Sequence, residues 1–158
     1  MFQSWLYKIT AGLAIIGLIT LIGISFIIIL NAFMRKFLNL DIKGLSDILL
    51  MLSVFSVAAI FPTMILQQSS ITVRLLNHFM RKKIAHKFDV WGQMLFGFLL
   101  IIFAWQMIIY AIEIYETGET SWELHWPLWP LWAFVAISLC LSAFIQITLV
   151  IGSKGQQK

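Results

Sequence analysis

Few side chains that could do chemistry occur in this sequence of 158 residues. The histidines are His78, His86 and His125, and the single cysteine is Cys140. Membrane haem sites usually use axial ligands, most often histidine, and no histidine here lies in a long apolar run. One cysteine allows neither an internal disulfide nor a cysteine metal cluster, and no phosphate loop or nucleophile–base pair is present. The sequence therefore predicts no cofactor, no metal site and no enzymatic activity.

Composition indicates a membrane protein. Hydrophobic residues make up 61% of the chain and charged residues only 11%, whereas soluble domains average about 45–50% and about 25%. The net charge of +4 comes from Lys and Arg at the ends of apolar runs. Such residues set membrane orientation, so no nucleic-acid partner is expected.

Four apolar runs must position the remaining polar groups. They cover about residues 9–34, 45–66, 90–112 and 131–151. As helices they are long enough to cross a hydrocarbon core of ~30 Å at ~1.5 Å per residue. The sequence predicts an all-α integral membrane protein, with four transmembrane helices in a single membrane domain over residues 1–158.

A basic stretch separates the second run from the third. Ile71, Leu75 and Phe79 recur every four residues, which places them on one side of a helix. The cations of the stretch are Arg74, Arg81, Lys82, Lys83 and Lys87. The pattern predicts an amphipathic in-plane helix at about residues 69–88, on the cytoplasmic surface and in contact with anionic lipids.

The distribution of Lys and Arg predicts the orientation. With the N-terminus inside, the outer segments hold three of the 11 cations, namely Arg35, Lys36 and Lys43, and the inner segments hold the others. Positive residues concentrate on the cytoplasmic side. Both termini are therefore expected in the cytoplasm.

Arg35 and Asp47 lie at the outer ends of consecutive antiparallel spans. A short loop joins these ends and keeps them close. We expect the two side chains to form a structural ion pair that fixes the register of the spans; two separate charges facing lipid headgroups are the alternative.

Residues that are small or polar recur along two of the predicted spans. They are Ser53, Ser56 and Thr63 in the second span, and Ser138, Ser142 and Gln146 in the fourth. Such stripes usually mark packing between membrane helices, because small residues permit close approach. A water-lined path is the functional alternative.

The segment before the fourth span is acidic and rich in tryptophan. It holds Glu113, Glu116, Glu119 and Glu123 and no Lys or Arg. Its tryptophans and those that follow are typical of an aromatic belt at the water boundary: Trp122, Trp126, Trp129 and Trp132.

Four stretches together resemble a known family. They are NAFMRKF, GLSDILLML, SSITVRLL and YETGETSWELHWPLWPLW, in that order. The sequence is similar over most of its length to the small four-helix permease subunit of tripartite ATP-independent periplasmic (TRAP) transporters. The residues that match the family pattern are Arg35, Asp47, Thr72, Val73, Glu116, Gly118, Glu119, Pro127 and Pro130.

The resemblance implies partners and a location. It implies a large permease subunit that carries substrate with sodium ions, a periplasmic substrate-binding protein, and a bacterial inner membrane. Substrates of the family are mostly organic acids. The chain is then expected to flank the large permease, and Glu116, Glu119 and Glu123 become candidates for docking the binding protein.

Two other classes of function remain open at this point. One is a small transporter or channel that assembles as a homo-oligomer, with the serine and threonine stripes lining its pore. The other is a membrane anchor for another complex. Neighbouring genes for a large membrane protein and a secreted binding protein would favour the accessory subunit.

Overall fold

The structure, a computed structural model, describes the backbone of residues 2–38, 43–79 and 82–155 and the side chains of residues 6–38, 43–67 and 91–151. It contains four helices: α1 (Phe2–Leu38), α2 (Leu45–Phe79), α3 (Lys82–Thr117) and α4 (Trp129–Gly155). Within these residues, β pairing is limited to one isolated bridge between Thr120 and Pro127. The prediction of an all-α fold is confirmed.

All four helices contain a segment long and apolar enough to cross a membrane. These segments are Leu6–Leu38, Leu45–Gln67, Trp91–Thr117 and Trp129–Ile151. Many large apolar side chains point away from the protein, among them Ile19, Ile22, Phe26 and Phe98. In a bilayer such side chains face lipid tails, which are as apolar as they are. The predicted four transmembrane-length helices are confirmed.

The predicted in-plane helix at residues 69–88 is not supported. The backbone of α2 continues without a break to Phe79, and α3 already begins at Lys82. Apolar residues every four positions recur on one side of any helix, so the spacing could not show whether this helix is separate or an extension of a span. The side chains of the basic stretch, from Arg74 to Lys87, lie outside the described residues.

The helices pack in a row whose order differs from the chain order. α1 packs against α2, α2 against α4, and α4 against α3; α2 and α3 touch only briefly. Among the described residues α1 contacts neither α3 nor α4. The two inner helices are therefore α2 and α4, and α1 and α3 form the edges.

An apolar cluster joins the three helices at one end of the row. It contains Ile65 of α2, Leu100 of α3, and Ala143 and Ile145 of α4, all buried. Further apolar side chains pack against it: Phe61, Leu66, Leu139, Leu141 and Leu149. This cluster holds the α3–α4 pair against α2.

Gly17 lets α1 approach α2 closely. A Cβ atom at this position would lie 2.8 Å from the Ser56 carbonyl oxygen and 3.2 Å from the Ala59 Cβ. Both contacts involve the neighbouring helix at a point where the backbone cannot yield easily. Glycine is therefore required here by space rather than by backbone conformation.

Candidate functional site

The α3–α4 loop is a narrow hairpin. α3 ends at Thr117, and Gly118 follows with a φ of 64° and donates its N–H to the Ile114 carbonyl at 3.1 Å. Glycine commonly ends helices in this left-handed conformation. Further along, the Ser121 N–H donates to the Trp126 carbonyl at 2.9 Å, closing the hairpin.

Ser121 organises the tip of this hairpin. Its carbonyl accepts the His125 N–H at 3.2 Å, and its hydroxyl accepts the Trp126 N–H at 3.3 Å. Ser121 is buried although it lies in a loop. His125 adopts a φ of 56°, a conformation that only a few per cent of residues other than glycine adopt, usually in turns. These contacts give the tip one defined conformation.

Asp47 and Glu123 connect this hairpin to the start of α2. The Asp47 carboxylate accepts the backbone N–H groups of Glu123 at 2.8 Å and of Leu124 at 3.2 Å. The Glu123 carboxylate in turn accepts the backbone N–H of Gly44. Each acid thus binds the backbone beside the other.

The geometry is that of a helix N-cap built from two chain segments. The Gly44 carbonyl accepts the Ile48 N–H at 3.3 Å, so Gly44 is the N-cap residue of α2. Asp47, three residues later, is the N3 residue. In an ordinary capping box the acid at this position binds the capping residue of its own helix. Here Glu123 supplies that carboxylate instead, and Asp47 binds the loop.

Leu124 closes the same contact. A Cβ atom on Gly44 would lie 2.8 Å from Leu124 Cγ, and Gly44 has a φ of 80°. Glycine is thus required at this position by both space and conformation. We call Gly44, Asp47, Ser121, Glu123 and Leu124 the loop junction.

The structure does not bring Arg35 and Asp47 together. Arg35 is exposed near the end of α1, and the described contacts of Asp47 are all with the α3–α4 loop. The backbone N–H groups of the loop already donate hydrogen bonds to this carboxylate, so its negative charge is stabilised without a cation. Sequence reasoning identified Asp47 as structural but assigned it a partner from the neighbouring span.

The predicted docking acids fall into two groups. Glu116 and Glu119 are exposed, as is Glu113. Glu123 is also exposed, but its side chain binds Gly44. Of the three predicted docking acids, Glu116 and Glu119 therefore present carboxylates without a described partner, and Glu123 does not.

Trp122 stands at the tip of the hairpin with 94% of its surface exposed. Two of the other tryptophans of the belt pack against α3: Trp129 lies edge-on to Tyr115 with ring centroids 5.5 Å apart, and Trp132 lies edge-on to Tyr110 at 5.0 Å. The aromatic contacts therefore hold α4 to α3 near the loop and leave Trp122 projecting.

The serine and threonine stripes lie mostly between helices. Ser56, Thr63, Ser138, Ser142 and Gln146 are buried, and Ser53 is half-buried. Thr63 donates its hydroxyl to the Thr10 carbonyl of α1 at 2.6 Å. Gln146 donates its side-chain amide to the Gln93 carbonyl of α3 at 3.2 Å. Both side chains therefore join neighbouring helices.

Ser138 compensates for a proline. Pro62 is buried inside α2 and has no N–H, so the Ala58 carbonyl, four residues earlier, lacks its helical donor. The Ser138 hydroxyl of α4 donates to this carbonyl. In a bilayer, a carbonyl freed by proline must be satisfied by a neighbouring helix or side chain.

No three His, Cys, Asp or Glu side chains of the described residues group closely enough to hold a metal ion. What the structure offers instead is a fixed hairpin at one end of a row of membrane helices.

The chain belongs to the DctQ component family of tripartite ATP-independent periplasmic transporters, whose model matches residues 24–153. This confirms the resemblance seen in the sequence. The family is one of small membrane subunits that work with a large permease and a periplasmic binding protein. No curated protein sequence and no solved structure matches the chain.

Proposed function

We propose that this chain is an accessory subunit that stabilises the large permease and carries no substrate itself, its whole length forming one membrane domain. The transporter would be a sodium-coupled importer of organic acids in a bacterial inner membrane. The family match over residues 24–153 is the observation that carries the proposal.

The chemistry of the spans supports a passive role. Binding an ion or an acid at mid-membrane usually requires ionisable side chains or interrupted helices there. The Asp, Glu, Lys and Arg residues lie at or beyond the ends of the apolar runs. The hydroxyls of Ser56, Ser138 and Ser142 donate to backbone carbonyls. These groups are occupied in packing.

The α3–α4 loop supports a docking role. Glu116 and Glu119 present negative charge, and the loop junction holds the hairpin that carries the exposed Trp122. Charges at the edge of an interface steer a partner towards it, and aromatic residues often dominate its affinity. We assign this surface to the periplasmic binding protein.

The orientation with both termini in the cytoplasm rests largely on the positive charges of the basic stretch. Arg81, Lys82 and Lys83 would then face anionic lipids of the inner leaflet. Single cysteines in place of Lys82 and of Glu119, in a Cys140→Ser background, distinguish the two sides. An impermeant thiol reagent added outside should label the second position alone; labelling at Lys82 would reverse the assignment.

Reconstitution tests the proposal directly. Liposomes with an inward sodium gradient would contain this chain alone, the large permease with its binding protein, or all three. Uptake of the substrate should require the permease and should be strongest with all three components. Flux through this chain alone, above that of empty liposomes, would overturn the accessory role.

A further inference from the structure

An apolar groove runs between the two inner helices, α2 and α4. It encloses about 500 Å³ and is open along one side. The buried Ala58 and Ser138 lie at its base, and Val57, which is 61% exposed, lies at its rim. Phe61 of α2 and Trp132 of α4 also line it. The groove follows the seam where the α1–α2 pair meets the α3–α4 pair.

The groove offers no free hydrogen-bond donor from its serines. Ser53 donates its hydroxyl to the Leu49 carbonyl at 2.6 Å, and Ser138 donates to the Ala58 carbonyl. The other lining side chains are aliphatic or aromatic. The groove therefore suits an apolar occupant.

The groove has the length of a short helix–helix contact. Its α2 side extends from Ser53 to Phe61, which is about 12 Å at 1.5 Å per residue. This distance corresponds to slightly more than two helical turns, and the stretch lies in the middle of the α2 span. A transmembrane helix could place side chains from three successive turns in it.

We infer that the groove between α2 and α4 receives a transmembrane helix of the large permease subunit. The inference rests on the proposed function, because the tripartite family supplies an integral membrane partner. A row of helices has two edges and two broad faces. Because α2 and α4 are the inner helices, a partner can contact both of them only through a broad face. The groove is a concave part of such a face.

Shape favours a helix over a lipid chain. Val54, Val57 and Val135 are β-branched and hold one preferred rotamer in a helix, so they give the groove a fixed form. Association of membrane helices depends on such packing, because lipid provides no hydrophobic drive. A fluid acyl chain would lose conformational freedom in a fixed groove, whereas a side chain on a folded helix is already ordered.

A second copy of this chain fits less well. Both edges of the row expose large apolar side chains, among them Ile22 and Phe26 on α1 and Phe98 on α3. Placing either edge in the groove of another copy joins two different surfaces. Such contacts continue into open chains unless the rotation happens to close a ring. A different protein with one helix that fits the groove forms a single contact, and no chain of copies results.

Photo-crosslinking identifies the occupant. A photoreactive amino acid replaces Val57 in the chain co-expressed with its permease and binding protein. The matched control replaces Ile137, which is 66% exposed and lies about 200° around α4 from Val135. We expect a crosslink to the permease from the first position and none from the second.

Three results would overturn the inference. They are adducts from the Val57 position with lipid alone, adducts with a second copy of this chain, and permease adducts from the Ile137 position instead. Co-purification of the unaltered chain with the permease is measured first. If it fails, the proposed function fails; if it holds without a groove crosslink, only the groove assignment fails.

Filling the groove gives a second measurement. Val57→Trp should lower recovery of the permease by about tenfold, because overpacking a fitted contact commonly costs this much affinity. Ile137→Trp should leave recovery unchanged. Both positions are exposed in the isolated subunit, so both variants should fold. Equal recovery with the two variants contradicts the inference.

Discussion

The Asp47 carboxylate accepts a hydrogen bond from the backbone N–H of Glu123 at 2.8 Å. The Glu123 carboxylate accepts one from the backbone N–H of Gly44, which lies three residues before Asp47. The two acids are 76 residues apart in sequence. Because each caps the segment that carries the other, the start of α2 and the α3–α4 hairpin stabilise one another.

Loss of the Asp47 carboxylate should release the hairpin. Asp47→Ala leaves the N–H groups of Glu123 and Leu124 without this acceptor, so we expect a melting temperature lower by a few degrees in detergent. We also expect faster cleavage of the loop by a glutamate-specific protease. Thr120→Ala serves as the control, since this side chain is exposed in the same loop and its loss leaves every glutamate in place. Equal protection in both variants would show that the junction does not hold the loop.

Removing the Ser138 hydroxyl should leave the Ala58 carbonyl without a hydrogen-bond donor. We expect Ser138→Ala to destabilise the protein by about 1 kcal/mol, the usual range for hydrogen bonds between membrane helices. In a Pro62→Ala background the helical N–H returns and the cost should shrink. Ser142→Ala, whose hydroxyl binds its own helix at 2.8 Å, should show no such dependence. Ser138→Ala, Pro62→Ala, their double variant and the unaltered protein form a thermodynamic cycle measured by reversible unfolding.

One result of this cycle would contradict the proposed role of the Ser138 hydroxyl. If Ser138→Ala costs as much with alanine at position 62 as with proline, the hydroxyl does not replace the missing donor. Ser138 would then act through packing alone.

Gly17→Ala should separate α1 from α2. The added methyl group would lie 2.8 Å from the Ser56 carbonyl oxygen, and crowding of this kind costs about 1–3 kcal/mol. Gly23→Ala is the matched control, because a Cβ atom there meets nothing within 4 Å. We expect lower thermal stability only for the first variant. A loss of stability in both would point to a general need for glycine in α1.

Neutralising Glu116 and Glu119 should weaken docking of the binding protein. The double change to glutamine should raise the binding-protein concentration needed for half-maximal uptake, most strongly at low salt, since charge steering fades beyond a Debye length of ~8 Å at physiological strength. Glu123 is left intact because it caps α2. An unchanged concentration dependence at low salt would remove this loop from the docking surface.

The sequence predicted the helices well and their partners less well. Long apolar runs allow few structures in a bilayer, so the four spans followed directly from composition and length. The segment after Gln67 was predicted to be helical, and the structure agrees for residues 68–79. Its continuity with α2 could not be predicted, since the repeat of a helix carries no information on where the helix starts.

The loop junction shows why contacts distant in sequence escaped prediction. Asp47 was expected to pair with Arg35, which is near in sequence, whereas its observed partners belong to the α3–α4 hairpin. No sequence pattern linked Gly44 to Glu123. The Pro62–Ser138 relationship had a signal that reasoning missed: a proline inside a membrane helix frees a carbonyl, and a small hydroxyl on another span can satisfy it.

The order of the row has a consequence for biosynthesis. α1 and α2 are consecutive and pack on each other, so this pair can assemble as soon as both have left the ribosome. α3 emerges before α4, the helix that supplies most of its contacts. Most of its packing face therefore stays uncovered in the bilayer until α4 arrives and takes the place between α2 and α3.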